Sequence, residues 1–176
     1  MKKLFGKLLG ENKPDAARSE PIVVVSGLPR SGTSMMMKML EAGGIPPVTD
    51  ELRTADDDNP KGYYEFERVK QMDKGDTAWV ADSPGKVVKV ISALLKHLPP
   101  GYNYQVIFLR RHMSEILASQ RKMLIHRGED PDKMDDAQMA MLFERHVAGV
   151  EQWLAKQANI EAVSYTHLTL PTSDLV

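Results

Sequence analysis

The first compact run of apolar residues, Pro21-Ile22-Val23-Val24-Val25-Ser26, shows no polar alternation and closes on a glycine. A β-branched run of this kind suits a strand buried on both faces of a parallel sheet. The period then changes. Met35, Met36, Met39 and Leu40 recur at helical spacing and predict a helix over 32–41, stopped by Gly43-Gly44, with the methionines as core filler. Residues 45–61 are rich in Pro, Asp and Thr and read as a long loop, a kind that often carries function. Helices are predicted over 64–72 and 86–97, the second stopped by Pro99-Pro100. Tyr104-Gln105-Val106-Ile107-Phe108-Leu109 is the second clear strand, followed by a helix over 114–127 closed by Gly128. Asp135-Asp136 then caps a long amphipathic helix reaching 157, with Met139, Leu142, Phe143, Val150, Trp153 and Leu154 on one side. A further strand starts over 159–162. Strands alternating with helices define an α/β domain with a mainly parallel sheet.

Composition narrows the chemistry. A chain of 176 residues has the length of one domain and can bury a substantial core. Its formal net charge of −1 gives no general attraction to nucleic acid or to an anionic membrane, so any anion must be held by a local cluster. The absence of cysteine removes disulfides, thiolate metal sites and cysteine nucleophiles, and fits a cytoplasmic location. No apolar run approaches the length of a membrane span. Residues 1–20 form a basic, weakly amphipathic start and a polar linker, read as a loosely attached tail rather than a firm membrane anchor.

The other end carries a different signal. Residues 163–172, Val-Ser-Tyr-Thr-His-Leu-Thr-Leu-Pro-Thr, resemble one translated frame of a transposon-end adapter used in sequencing libraries. The competing reading is a native strand, because Val163, Tyr165 and His167 alternate with smaller polar residues. The resemblance sets the expected division: a tail and linker over 1–20, a domain over 21–162 cut short at its C-terminal side, and a non-native tail over 163–176.

The segment Gly27-Leu28-Pro29-Arg30-Ser31-Gly32-Thr33-Ser34 lies between the first strand and the first helix, the order that a phosphate site needs. Successive backbone N–H groups curl around the anion and the helix presents its positive end. Gly27 and Gly32 permit the tight turn, Ser31, Thr33 and Ser34 offer hydroxyls, and Arg30 adds a permanent charge. The pattern is nearly a Walker A loop, but Thr33 stands where an ATP- or GTP-binding loop carries its lysine. The closest candidate for a metal-binding strand end, Val80-Ala81-Asp82, is short. No set of His, Asp and Glu shows metal-ligand spacing.

Pro29-Arg30-Ser31-Gly32-Thr33-Ser34 resembles the 5′-phosphosulfate loop of sulfotransferases, usually Pro-Lys/Arg-Ser-Gly-Thr-Thr/Ser. The resemblance implies a P-loop-type three-layer sandwich and, as co-substrate, 3′-phosphoadenosine 5′-phosphosulfate (PAPS), with no metal. A sulfuryl group carries less charge than a phosphoryl group, so hydroxyl donors and one cation suffice there. The family's second motif pairs an arginine with a serine eight residues on, for the 3′-phosphate; Arg111 and Ser119 match that spacing. Arg111-His112-Met113 lacks the proline common in the family, and Arg110 is a competing assignment. The family's base is a histidine or a glutamate. Asn59-Pro60-Lys61-Gly62-Tyr63-Tyr64-Glu65 resembles an Asn-Pro-x-Gly-Tyr-x-Glu segment of bacterial members, which implies Glu65 as base, with Glu67 second. Lys89 falls between the motifs, where relatives place a lysine against the transferred group. His97, His126 and His146 read as exposed side chains, and Arg121, Lys122 and Arg127 as solvated charges.

The expected activity is thus sulfuryl transfer from PAPS to a hydroxyl or amine of a small-molecule, carbohydrate or lipid acceptor, with no nucleic acid involved. The rivals are a Mg²⁺-dependent P-loop kinase or NTPase, and a non-catalytic nucleotide-binding or interaction module using the long helix as its surface.

Overall fold

The computed structural model describes residues 20–50 and 64–166. The predicted N-terminal tail through residue 19, most of the loop over 45–61, the Asn59–Tyr63 part of the bacterial-type segment and residues 167–176 lie outside them. The chain is an α/β protein. The described residues hold five strands, β1 (Ile22–Gly27), β2 (Pro47–Val48), β3 (Val87–Lys89), β4 (Tyr104–Arg110) and β5 (Ile160–Thr166). They form one parallel sheet in the order β2-β3-β1-β4-β5. Among the described residues three α-helices accompany it: α1 (Thr33–Ala42), α2 (Met113–His126) and α3 (Asp136–Leu154).

The central place of β1 follows from its composition. All six residues are buried, and Val24 is registered between Val88 of β3 and Val106 of β4. Successive side chains of a strand point to opposite faces. Ile22 and Val24 join Val88, Val106 and Phe108 on one face, under Met72, Trp79 and Leu95 of three 3-10 helices and Leu154 at the end of α3. Val23 and Val25 join Val87 and Leu109 on the other, under Met36 and Met37 of α1.

Several predicted elements change identity. The helix predicted over 86–97 is instead β3 followed by a 3-10 helix, Ser92–His97. Val87 and Val88 are fully buried between β2 and β1, a position that favours β-branched side chains over any helical period. The helix predicted over 64–72 is a 3-10 helix, Glu67–Lys74, ended by Gly75 at φ 91°. The loop after α1 contributes β2 to the sheet edge. In α1 the buried methionines are Met36 and Met37, whereas Met35 and Met39 are 38% and 55% exposed, so the core face is rotated from the one predicted. The long helix is capped as its sequence indicates: the Asp135 carboxylate accepts from the N–H groups of Ala137 and Gln138 at 3.1 and 3.4 Å. The strand expected from 159 continues to Thr166, across the boundary at 163, paired with β4 through backbone groups. No helix among the described residues is long and apolar enough to cross a membrane.

The strand order creates one special place. From β1 the chain leaves through α1 toward β2 and β3, whereas from β4 it leaves through α2 and α3 toward β5 on the opposite side. The carboxyl ends of β1 and β4 therefore diverge and leave a crevice between their outgoing loops, where ligands of open α/β sheets bind.

Candidate functional site

A cleft of about 420 Å³ opens at that crevice. The loop after β1 forms its base. Gly27 closes β1 at φ 153°; a Cβ there would stand 2.6 Å from Ser31 Oγ and 2.7 Å from the Leu109 carbonyl oxygen, so only glycine fits. Ser31 N–H donates to the Leu28 carbonyl at 3.2 Å, curling the loop. Arg30 takes the left-handed conformation, φ 68°, and Gly32 follows at φ 92° as the N-cap of α1. Among the described residues no side chain caps that helix, and the positive end of its dipole lies at the cleft. Gly32, Thr33 and Ser34 line the cleft there. Ser31 is fully buried, and its hydroxyl has no hydrogen-bond partner among the described residues.

The two arginines singled out by the sequence meet at this cleft. Arg30 Nε donates to Ser119 Oγ at 2.8 Å, and Arg111 Nη1 donates to the Arg30 carbonyl oxygen at 3.0 Å. Arg111 Nε also donates to Glu115 Oε2 at 2.7 Å, one turn into α2. The competing Arg110 points elsewhere: its guanidinium lies 3.4 Å from Glu151 of α3, and it does not line the cleft. Adjacent strand-end residues face opposite sides, which separates the two assignments.

Lys89, the last residue of β3, reaches the same cleft from the other neighbour of β1. Its Nζ donates to Ser34 Oγ at 3.2 Å and lies 4.0 Å from Glu65 Oε1. Lys70 stands 3.3 Å from the other Glu65 oxygen, so two ammonium groups flank one carboxylate. The Lys70 ammonium is held above its ordinary range by its 2.7 Å hydrogen bond to Glu67 and by Glu65, against the opposing effect of burial. Glu67 is spent on Lys70 and lies off the cleft. Tyr64, at φ 50°, donates its hydroxyl to Glu41 of α1 at 2.5 Å, and that carboxylate pushes the phenol's pKa up.

Of the nine candidate site residues, eight line one cleft: Arg30, Gly32, Thr33, Ser34, Glu65, Lys89, Arg111 and Ser119. Ser31 lies beneath them. The sequence reading missed Met123, four residues after Ser119 on α2, and Arg127, four further on at the C-cap; both line the cleft with Ser119. That step was visible in the sequence, although its direction toward the loop was not. His97 and His126 take no part, while His146, read as exposed, is half-buried and bonded to Ser92 at 2.8 Å. Chemically, the arrangement offers helix N–H groups, hydroxyls and separated cations to an elongated anion, with a carboxylate at one end. No protein-family model matches the chain, and no curated protein matches it.

Proposed function

We propose that the chain is a sulfotransferase-type domain that binds PAPS in this cleft and directs its sulfuryl group to a hydroxyl or amine acceptor. The observation that carries the reading is the meeting of two distant motifs: Arg30 and Ser119 share a hydrogen bond, and Arg111 binds the Arg30 carbonyl. The donor fits the groups present. The positive end of α1 and a buried Ser31 hydroxyl with no partner among the described residues suit the 5′-phosphosulfate, and Arg111 with Ser119 suit the 3′-phosphate.

PAPS, when bound, supplies the activated sulfuryl group. The chain supplies the rest. Thr33 in place of a P-loop lysine leaves Lys89 as the cation near the loop's hydroxyls, where it is suited to meet charge on the leaving oxygen. Glu65 is the residue to accept the acceptor's proton, and Lys70 and Lys89 hold its carboxylate in place. The acceptor's class rests on the loops around this end.

Calorimetric titration with adenosine 3′,5′-bisphosphate tests the reading. Arg30→Ala and Arg111→Ala are each expected to weaken binding by about 1.5–3 kcal/mol, the scale of a charged hydrogen bond. Unchanged affinity in a folded Arg111→Ala protein would remove the second anchor. Mg²⁺-dependent binding of ATP without preference for the 3′-phosphorylated nucleotide would favour a P-loop kinase or NTPase instead. If the nucleotide binds but no sulfuryl transfer follows, the domain is a binding module; transfer unaltered by Glu65→Ala would instead remove Glu65 as the base.

A further inference from the structure

On the sheet face opposite α1, the 3-10 helix Ser92–His97 and α3 enclose a second groove of about 340 Å³. It shares no lining residue with the cleft described above. Its floor is apolar, made by Leu95, Val150 and Trp153. Its charged lining has one sign: Lys96 and Arg145 are present, and no carboxylate is. Neither of these cations forms an ion pair with a described residue. His146 Nε2 lies 2.8 Å from the buried Ser92 Oγ, and this bond fixes the imidazole at the groove wall.

Gly149 supplies a second line of argument. Arg145, Gly149 and Trp153 follow at four-residue steps along α3 and so share one face. A Cβ at Gly149 would meet nothing within 4 Å, so no packing contact requires glycine there. Glycine weakens a helix interior relative to alanine. At this position it leaves open the mouth of a groove whose floor includes an indole and whose rim is basic.

We propose that this groove binds a small amphiphilic anion as a single molecule, with an aromatic or alicyclic body against Trp153 and a carboxylate, sulfate or sulfonate met by Lys96 and Arg145. The groove has the size of a small-molecule site, about 300–1,000 Å³. The apolar floor selects the body, and the unpaired cations select the charge. A polyanion is not the fit, because the chain as a whole, at net charge −1, has no field to hold one. The inference stands independently of the sulfotransferase reading.

The probe is 8-anilinonaphthalene-1-sulfonate, titrated into the full chain and followed by its own emission and by quenching of the tryptophan emission, to which Trp153 contributes together with the buried Trp79. Its neutral counterpart is N-phenyl-1-naphthylamine. Combined Lys96→Ala and Arg145→Ala substitutions are expected to raise the sulfonate's Kd at least about tenfold, with the naphthylamine binding weakly throughout. Gly149→Leu fills the open space and is expected to abolish binding, while its urea midpoint stays at or above that of the parent chain. Equal affinity for the neutral probe, undiminished binding to a folded Gly149→Leu protein, or displacement by adenosine 3′,5′-bisphosphate would each overturn the proposal.

Discussion

Arg30 occupies a backbone region that few residues other than glycine adopt, φ 68°. Such a conformation persists only where its surroundings hold it. Here Ser119 holds the side chain and Arg111 holds the carbonyl. Gly27 is the opposite case, a position where a single added carbon meets both Ser31 and Leu109 at under 3 Å. Gly27→Ala is therefore expected to destabilise the fold by about 1–3 kcal/mol, the usual cost of overpacking, measured by urea unfolding. At this scale the sequence was informative, because a phosphate-type loop is a local pattern of glycines, hydroxyls and one cation. The eight-residue spacing to Ser119 favoured Arg111 over Arg110, but the direction of either side chain was not legible. It depends on which side of β4 each residue faces, and the chain's local pattern holds no reference for that.

Among the elements, β1, β4 and the three α-helices were readable from apolar periodicity, and β3 was not. Val87-Val88-Lys89-Val90 is too short to establish a period, and its following Leu94-Leu95 imitates a helical stripe. What decides its form is burial between two strands, a tertiary fact. The same reasoning places α1's packing on Met37, which is fully buried, rather than Met39. Met37→Ala is expected to cost about 2–5 kcal/mol in chemical denaturation, and Met39→Ala no more than about 0.5 kcal/mol. The 3-10 helix Glu67–Lys74, which carries Lys70 beside Glu65, is tied to the following turn by Arg68. Its guanidinium donates to both Asp76 oxygens, at 2.9 and 2.5 Å, and holds that carboxyl below its ordinary pKa. A depressed carboxylate adds stability above its unfolded pKa, and this is lost as pH falls through the lower folded value. Asp76→Asn is expected to remove that acid-limb dependence, measured as urea midpoints across acidic pH.

For the molecule as a whole, the strand order matters more than any single element. It sends the chain in opposite directions from β1 and β4 and so brings Arg30 and Arg111 to one crevice. Neither strand order nor crevice could be read from spacing alone, because parallel neighbours are far apart in sequence. Arg127 is drawn to the cleft, and Lys70 to Glu65 at its edge, by the same tertiary arrangement. A ligand that bridges the two arginines stabilises the entire domain. Adenosine 3′,5′-bisphosphate at about 100 times its Kd is expected to add about 2.7 kcal/mol, which for a chain of this size raises Tm by roughly 5–11 °C. Adenosine alone is expected to leave Tm unchanged, and a scanning calorimeter separates the two cases.

The register of β1 has a kinetic corollary. Val24 finds its partners at Val88 and Val106, so the middle strand completes its pairing only after long stretches of chain have been brought together. Closing such loops is slow relative to forming local helices. The cleft at the ends of β1 and β4 must then be among the last features to mature during refolding. Nucleotide capture in a stopped-flow experiment would clock the arrival of β4 beside β1, after helical circular dichroism has already returned.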